Sequence, residues 1–205
     1  MLAASTLLLV ASCAGPQPTS PRMSMFVTST ALGDGGNLGG LAGADAHCQR
    51  LAAAVGSTRT WHAYLSAPAD DLAPAVNARD RIGAGPWFNQ QGREVAASVD
   101  ALHSDRAGIS YTTALTEQGR PVPRNVHDML TGSNARGMLS AAASDTTCRG
   151  WRSNASGRAM LGHSDGGGAS AGTLAWNAAH ISDGCSAKAL DATGGAGLFY
   201  CFAIN

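Results

Sequence analysis

Gly197-Leu198-Phe199-Tyr200-Cys201-Phe202-Ala203-Ile204 is the most apolar stretch of the chain beyond its first dozen residues. Its length and its aromatic content predict a central strand that carries Cys201 into the core. Such a strand needs partners and a cover. Met25-Phe26-Val27-Thr28-Ser29-Thr30 has β-forming composition, and Thr60-Trp61-His62-Ala63-Tyr64-Leu65-Ser66 alternates with Trp61, Ala63 and Leu65 on one face. Between Gly43 and Gly56, residues Ala44, Cys48, Leu51 and Val55 recur at helical spacing, which predicts a helix that turns Cys48 inward and ends at Gly56. A second short helix is expected over residues 74–81 and a short strand over residues 94–97. Residues 82–147 carry Gly, Pro, Asn and Asp at short intervals, so they are expected to be long loops over a scaffold. The fold class is α+β and loop-rich.

Composition sets the outer limits. The chain has 205 residues, 44% hydrophobic and 14% charged, which suits one folded domain with a short appendage, its core thin in large side chains because so much of the apolar content is alanine. The formal net charge is zero and Lys188 is the single lysine. Nucleic acid and anionic lipid reward clustered positive charge, so nucleic acid is not expected as a partner. Twenty-six glycines and 8 prolines argue against a helical bundle. The loop Gly33-Asp34-Gly35-Gly36-Asn37-Leu38-Gly39-Gly40 lacks the Gly-Lys-Ser/Thr that a phosphate loop requires.

Residues 1–12 contain Leu7-Leu8-Leu9-Val10, too short to span a bilayer but suited to a secretory signal. Val10-Ala11-Ser12-Cys13 resembles a bacterial lipobox, in which the signal is cut before the cysteine and lipid chains are attached to it. Met1-Leu2-Ala3-Ala4 departs from that pattern in lacking Lys or Arg. Residues 13–23 then form a proline-rich spacer and residues 24–205 the folded domain. Membrane association is expected through the lipid anchor alone, at a bacterial cell envelope outside the cytoplasm. With Cys13 set aside, Cys48, Cys148, Cys185 and Cys201 remain, an even number that suits two disulfides in any of three pairings. No close Cys-x-x-Cys pair is present to form half of a zinc site.

Several segments together carry a resemblance. They are Phe26-Val27-Thr28-Ser29, Leu41-Ala42-Gly43-Ala44-Asp45-Ala46-His47-Cys48-Gln49, Thr60-Trp61-His62-Ala63-Tyr64-Leu65-Ser66, Arg79-Asp80-Arg81, Thr131-Gly132-Ser133-Asn134, Cys148-Arg149-Gly150-Trp151-Arg152 and Tyr200-Cys201. In this order they resemble the endostatin domain at the C-terminus of certain collagens and the bacterial secreted proteins that share it. The resemblance implies a compact C-type lectin-like fold with nested disulfides, Cys48 to Cys201 and Cys148 to Cys185. It does not carry over the relatives' zinc site, because residues 16–25 hold no histidine. Asp80, which matches the family's aspartate in the second helix, lacks histidine partners and is expected to pair with Arg79 or Arg81 or to cap backbone. The relatives bind heparin through clustered arginines, whereas the arginines here are scattered along the chain.

Candidate sites are few. Sugar-binding C-type lectins hold calcium with Glu-Pro-Asn or Gln-Pro-Asp and a Trp-Asn-Asp. Only Trp176-Asn177 echoes this, so any binding is expected to be independent of calcium, with Trp151, Trp176 and Asn177 as ligand-binding candidates. Gly162-His163-Ser164-Asp165-Gly166 fits the nucleophile elbow, but Gly168-Ala169-Ser170-Ala171-Gly172 fits it again at once, as chance produces in a Gly/Ser tract. No catalytic residue follows from it. Of the 6 histidines, His127, His163 and His180 would make a metal site if their loops met. None has a helical His-x-x-x-His partner, and separate loop histidines bonded to backbone are expected, with no metal and no cofactor. The sequence therefore predicts a non-catalytic binding module for an extracellular protein or a polysaccharide. Its rivals are a metal-dependent protein or enzyme using those histidines, and a purely structural envelope protein.

Overall fold

The computed structural model describes residues 22–71, 73–142, 144–166 and 176–205. Along the chain run β1 (Met25–Val27), α1 (Gly40–Ala54), β2 (Trp61–Ala63), a 3-10 turn (Ala78–Asp80), β3 (Trp87–Phe88), β4 (Glu94–Ala96), α2 (Val99–Leu102), β5 (Asp128–Leu130), a tight turn (Cys148–Trp151), β6 (Met160–His163), β7 (His180–Ile181), a short helix (Ala187–Asp191) and β8 (Gly195–Ala203). The expected signal, Cys13 and most of the spacer lie outside the described residues, as does the second Gly-x-Ser-x-Gly match. Among the described residues no helix is long and apolar enough to cross a membrane.

The terminal apolar run is the central strand. Five strands join β8 in one sheet of order β1-β8-β5-β6-β7, with β2 also on β8. β5 runs parallel to the first part of β8, while β1 and β2 pair antiparallel with its end, Val27 opposite Tyr200 and Ala63 opposite Cys201. Alternation along β8 sorts its side chains into two cores. Phe199, Cys201 and Ala203 join Phe26, Trp61, Leu130, Leu161 and the inner face of α1. Leu198, Tyr200 and Phe202 join Met25, Tyr64, Trp87, Met129 and Trp176 on the opposite side. The loop-rich segment provides the cover for this second core, through Ile82, Trp87, Val95, Leu102 and Val122.

α1 begins at Gly40, a turn earlier than the periodicity predicts, after Gly39 in the left-handed region (φ 73°). It ends where expected, with Gly56 at φ 85° beyond the last turn. Asp45 ties it to β2. Its Oδ1 accepts the Ala63 N–H at 2.8 Å and its Oδ2 accepts from Arg81 at 2.7 Å. Arg79 pairs with Asp100 at 3.0 Å, so Asp80 pairs with neither neighbouring arginine and instead accepts from Asn77 Nδ2 at 2.8 Å. The predicted helix over 74–81 contracts to the 3-10 turn, because its polar residues are engaged elsewhere. Ser66 Oγ accepts the Ala78 N–H, and Asn77 Oδ1 accepts that of Leu139.

Two disulfides complete the fold. Cys48 to Cys201 joins α1 to β8, and Cys148 to Cys185 joins the tight turn to the segment after β7, each with Cα atoms 5.6 Å apart. Such bonds persist in an oxidising compartment outside the cytoplasm. The tight turn is left-handed over four successive residues, with φ of 48°, 55° and 66° at Cys148, Arg149 and Trp151 and 64° at Gly150. Each non-glycine residue there costs roughly 1–2 kcal/mol. The disulfide holds one end of the turn, and the buried Trp151 ring, whose Nε1 donates to Ser66 O at 2.8 Å, holds the other.

Candidate metal centre

The sheet brings together three histidines that the sequence reading kept apart. On β5 and β6, Asp128 lies directly opposite His163. On β6 and β7, Leu161 lies opposite His180. Leu161 and His163 are two residues apart, so Asp128, His163 and His180 share one face of the sheet, and His127 reaches round from the residue before β5. Glycines make the approach possible. A Cβ on Gly162 would clash with the Trp176 carbonyl oxygen, so only glycine lets the backbone before β7 lie against β6. A Cβ on Gly194, at φ 95°, would stand 2.9 Å from His127 Cε1.

All three imidazoles point one nitrogen at the same oxygen. Nε2 of His163, His180 and His127 lies 3.2, 3.3 and 3.5 Å from Asp128 Oδ1. The Asp128 side chain is fully buried, that of His163 is 11% exposed, and those of His127 and His180 form a rim at 30% and 36%. Neither carboxylate oxygen of Asp128 has a hydrogen-bond partner among the described residues. His127 Nδ1 lies 3.2 Å from Arg124 O and His180 Nδ1 lies 3.4 Å from Ile181 O. A carbonyl only accepts, so Nδ1 carries a proton in each ring, and in the neutral form Nε2 turns its lone pair inward.

Lone pairs on nitrogen facing a buried carboxylate repel unless a cation lies between them. Protons on the rings would supply one, and a metal ion would supply another. Four donors about 2.0–2.1 Å from a tetrahedral ion lie about 3.3 Å from one another. The three distances to Asp128 Oδ1 match that edge. The donor atoms that lie within 4.8 Å of one another are those of His127, Asp128 and His163, and His180 Nε2 meets this group at Asp128 Oδ1. Imidazole and carboxylate donors suit zinc and its first-row neighbours far better than calcium or magnesium. The expectation of separate loop histidines is thus corrected. Asp128 is the buried carboxylate on which all three converge.

The other candidates take different places. Trp151 and Trp176 are core residues, 0% and 3% exposed, with their indole N–H groups bonded to Ser66 O and Leu102 O. Neither presents a face on which a sugar could stack. Asn177 is buried too, donating from Nδ2 to Tyr64 Oη at 3.0 Å. Tyr64 in turn donates to His103 Nε2 at 2.7 Å, while His103 Nδ1 donates to Val99 O at 2.7 Å. Burial pushes the Tyr64 hydroxyl above the usual tyrosine range and pulls His103 below the usual histidine value. Tyr200, buried with its hydroxyl donating to Trp176 O at 2.7 Å, is raised by burial as well.

Fold and site together define a disulfide-bridged α+β domain with a histidine and carboxylate cluster at the end of its main sheet. No protein-family model matches the chain, and no curated protein matches it.

Proposed function

We propose that the protein is a non-catalytic binding module displayed outside the cytoplasm, and that its centre is a divalent transition-metal ion held by His127, Asp128, His163 and His180. One observation carries this reading. Three Nε2 atoms lie within 3.5 Å of a single buried carboxylate oxygen that has no hydrogen-bond partner among the described residues. The ion would order the donors and offset the buried charge; the chain's own residues fix the tautomers and exclude water from the Asp128 side.

The scaffold is proposed to be endostatin-like, a variant of the C-type lectin-like fold, tethered to a bacterial envelope by lipid at Cys13. In support, the two disulfides pair as that resemblance implies, and they suit an exported protein. The partner is proposed to be an extracellular protein or a polysaccharide. A Cys13→Ser variant is expected to move from the membrane to the soluble fraction, and a variant as membrane-bound as the parent would overturn the anchor.

The metal reading is tested by equilibrium dialysis of the chelator-treated protein against zinc. One equivalent is expected to bind, and millimolar calcium is expected not to displace it. Loss of a partner that merely orients a metal ligand weakens affinity roughly 10–100-fold, so His163→Ala, which removes a ligand, is expected to weaken it at least 10-fold. Equal zinc binding by His163→Ala and the parent would refute the site.

A further inference from the structure

The four donors do not surround the ion evenly. The floor of the site is Asp128, fully buried, and His163, nearly so, whereas His127 and His180 stand at the solvent edge with about a third of each side chain exposed. The donors of His127, Asp128 and His163 lie within 4.8 Å of one another. A site buried below and partly exposed at its rim leaves an approach to the ion from solvent. Charge tells what would take that approach. Three neutral imidazoles and one carboxylate leave a divalent ion with a residual charge of +1, and Asp128 is already committed inside.

Resting on the metal reading above, we infer that the ion keeps an exchangeable coordination position on the His127 and His180 side that takes an anionic oxygen donor, a carboxylate above all. A carboxylate from solvent would displace a water and bring the centre to neutrality. The module would then capture its ligand through the metal itself, and Trp151 and Trp176, which are buried, would play no part in contact. The reaction is ligand exchange only. One metal–water bond is broken and one metal–oxygen bond is formed, with no electron transfer and no proton consumed by an already ionised carboxylate.

The experiment uses the disulfide-bonded protein loaded with cobalt(II), whose visible absorption reports the donors around the ion. Appearance of the ligand-field bands on adding one equivalent of cobalt tests the metal reading, and its absence would sink both proposals. With the bands present, acetate is then titrated at constant ionic strength, using chloride to hold the salt. The expected result is a saturable shift of the bands as an acetate oxygen replaces the bound water at unchanged coordination number. Bands that appear and then stay unchanged up to high acetate would leave the metal site standing and overturn the open position. A response of equal size to chloride alone would overturn the selectivity for oxygen donors.

Discussion

At the scale of single residues, Asp128 and His103 show how burial decides what a side chain does. Asp128 has lost its water and found no donor, so its charge is compensated only by a cation. An amide of the same shape reverses that requirement. In Asp128→Asn the new N–H groups can donate to the Nε2 lone pairs, so the metal-free protein is expected to hold its stability or gain about 1 kcal/mol. Zinc affinity is expected to fall at least 10-fold, as a chelator competition would show. Loss of both stability and zinc would mean the residue is a plain structural staple. His103 is neutral by the same logic. Its Nε2 accepts from Tyr64 and its Nδ1 donates, so protonation breaks the bond from the Tyr64 hydroxyl. Its folded pKa is lowered, first by burial and then by Arg79, against the opposing pull of the Val99 carbonyl, Asp100 and Asp80. The unfolded chain therefore binds more protons between that lowered value and about 6.5, and stability falls as pH drops through this window. Above about 6.5 the contribution is fully present. With chelator in both samples, His103→Gln is expected to show a shallower loss of melting temperature on acidification than the parent, and parallel curves would exclude His103 as the source.

At the scale of elements, the site depends on three very short strands keeping register. β5, β6 and β7 contribute 3, 4 and 2 residues, and a one-residue slip of any of them would turn its ligand to the other face. Gly162 is the most exposed to test, since any side chain there meets the Trp176 carbonyl. Gly162→Ala is expected to push the backbone before β7 off β6, costing roughly 1–3 kcal/mol by overpacking and weakening zinc binding through His180. Unchanged urea midpoint and zinc affinity would show that the backbone there yields freely. The same contrast explains what could be read in advance. β8 and α1 were legible because long apolar runs and helical spacing are properties of adjacent residues. Both disulfide pairings followed from a resemblance, since spacing alone left three open. The helix expected over 74–81 failed where Ser66 and Asn77 spend their polar atoms on distant partners. The histidines were visible as residue types, but 16 residues lie between His163 and His180 and no local pattern encodes that β7 returns beside β6.

At the scale of the whole molecule, the two disulfides support different halves of this arrangement, and that difference can be measured. Cys48 to Cys201 spans 153 residues and Cys148 to Cys185 spans 37. Loop closure in the unfolded chain assigns them about 5 and about 4 kcal/mol. Against a typical total of about 5–15 kcal/mol, removal of either is expected to cost much of the stability. Their effects on the metal centre should diverge. Cys185 lies four residues beyond Ile181, and between them Ser182 binds Ala159 in both directions, by N–H to carbonyl at 2.9 Å and by Oγ from the Ala159 N–H at 2.9 Å. The Cys148 bridge therefore holds the strand that carries His180. The Cys48 bridge holds α1 to the far end of β8, on the other side of β5 from β7. An ion at 100 times its dissociation constant adds about 2.7 kcal/mol to any folded state that binds it as tightly as the parent. In Cys48→Ala/Cys201→Ala, at a temperature where the variant is still folded, zinc is expected to restore that full increment. In Cys148→Ala/Cys185→Ala the same zinc concentration is expected to restore distinctly less, because part of the binding energy goes into fixing β7. Denaturant unfolding of both variants with and without zinc measures the two increments, and equal increments would show that β7 keeps its place without the disulfide.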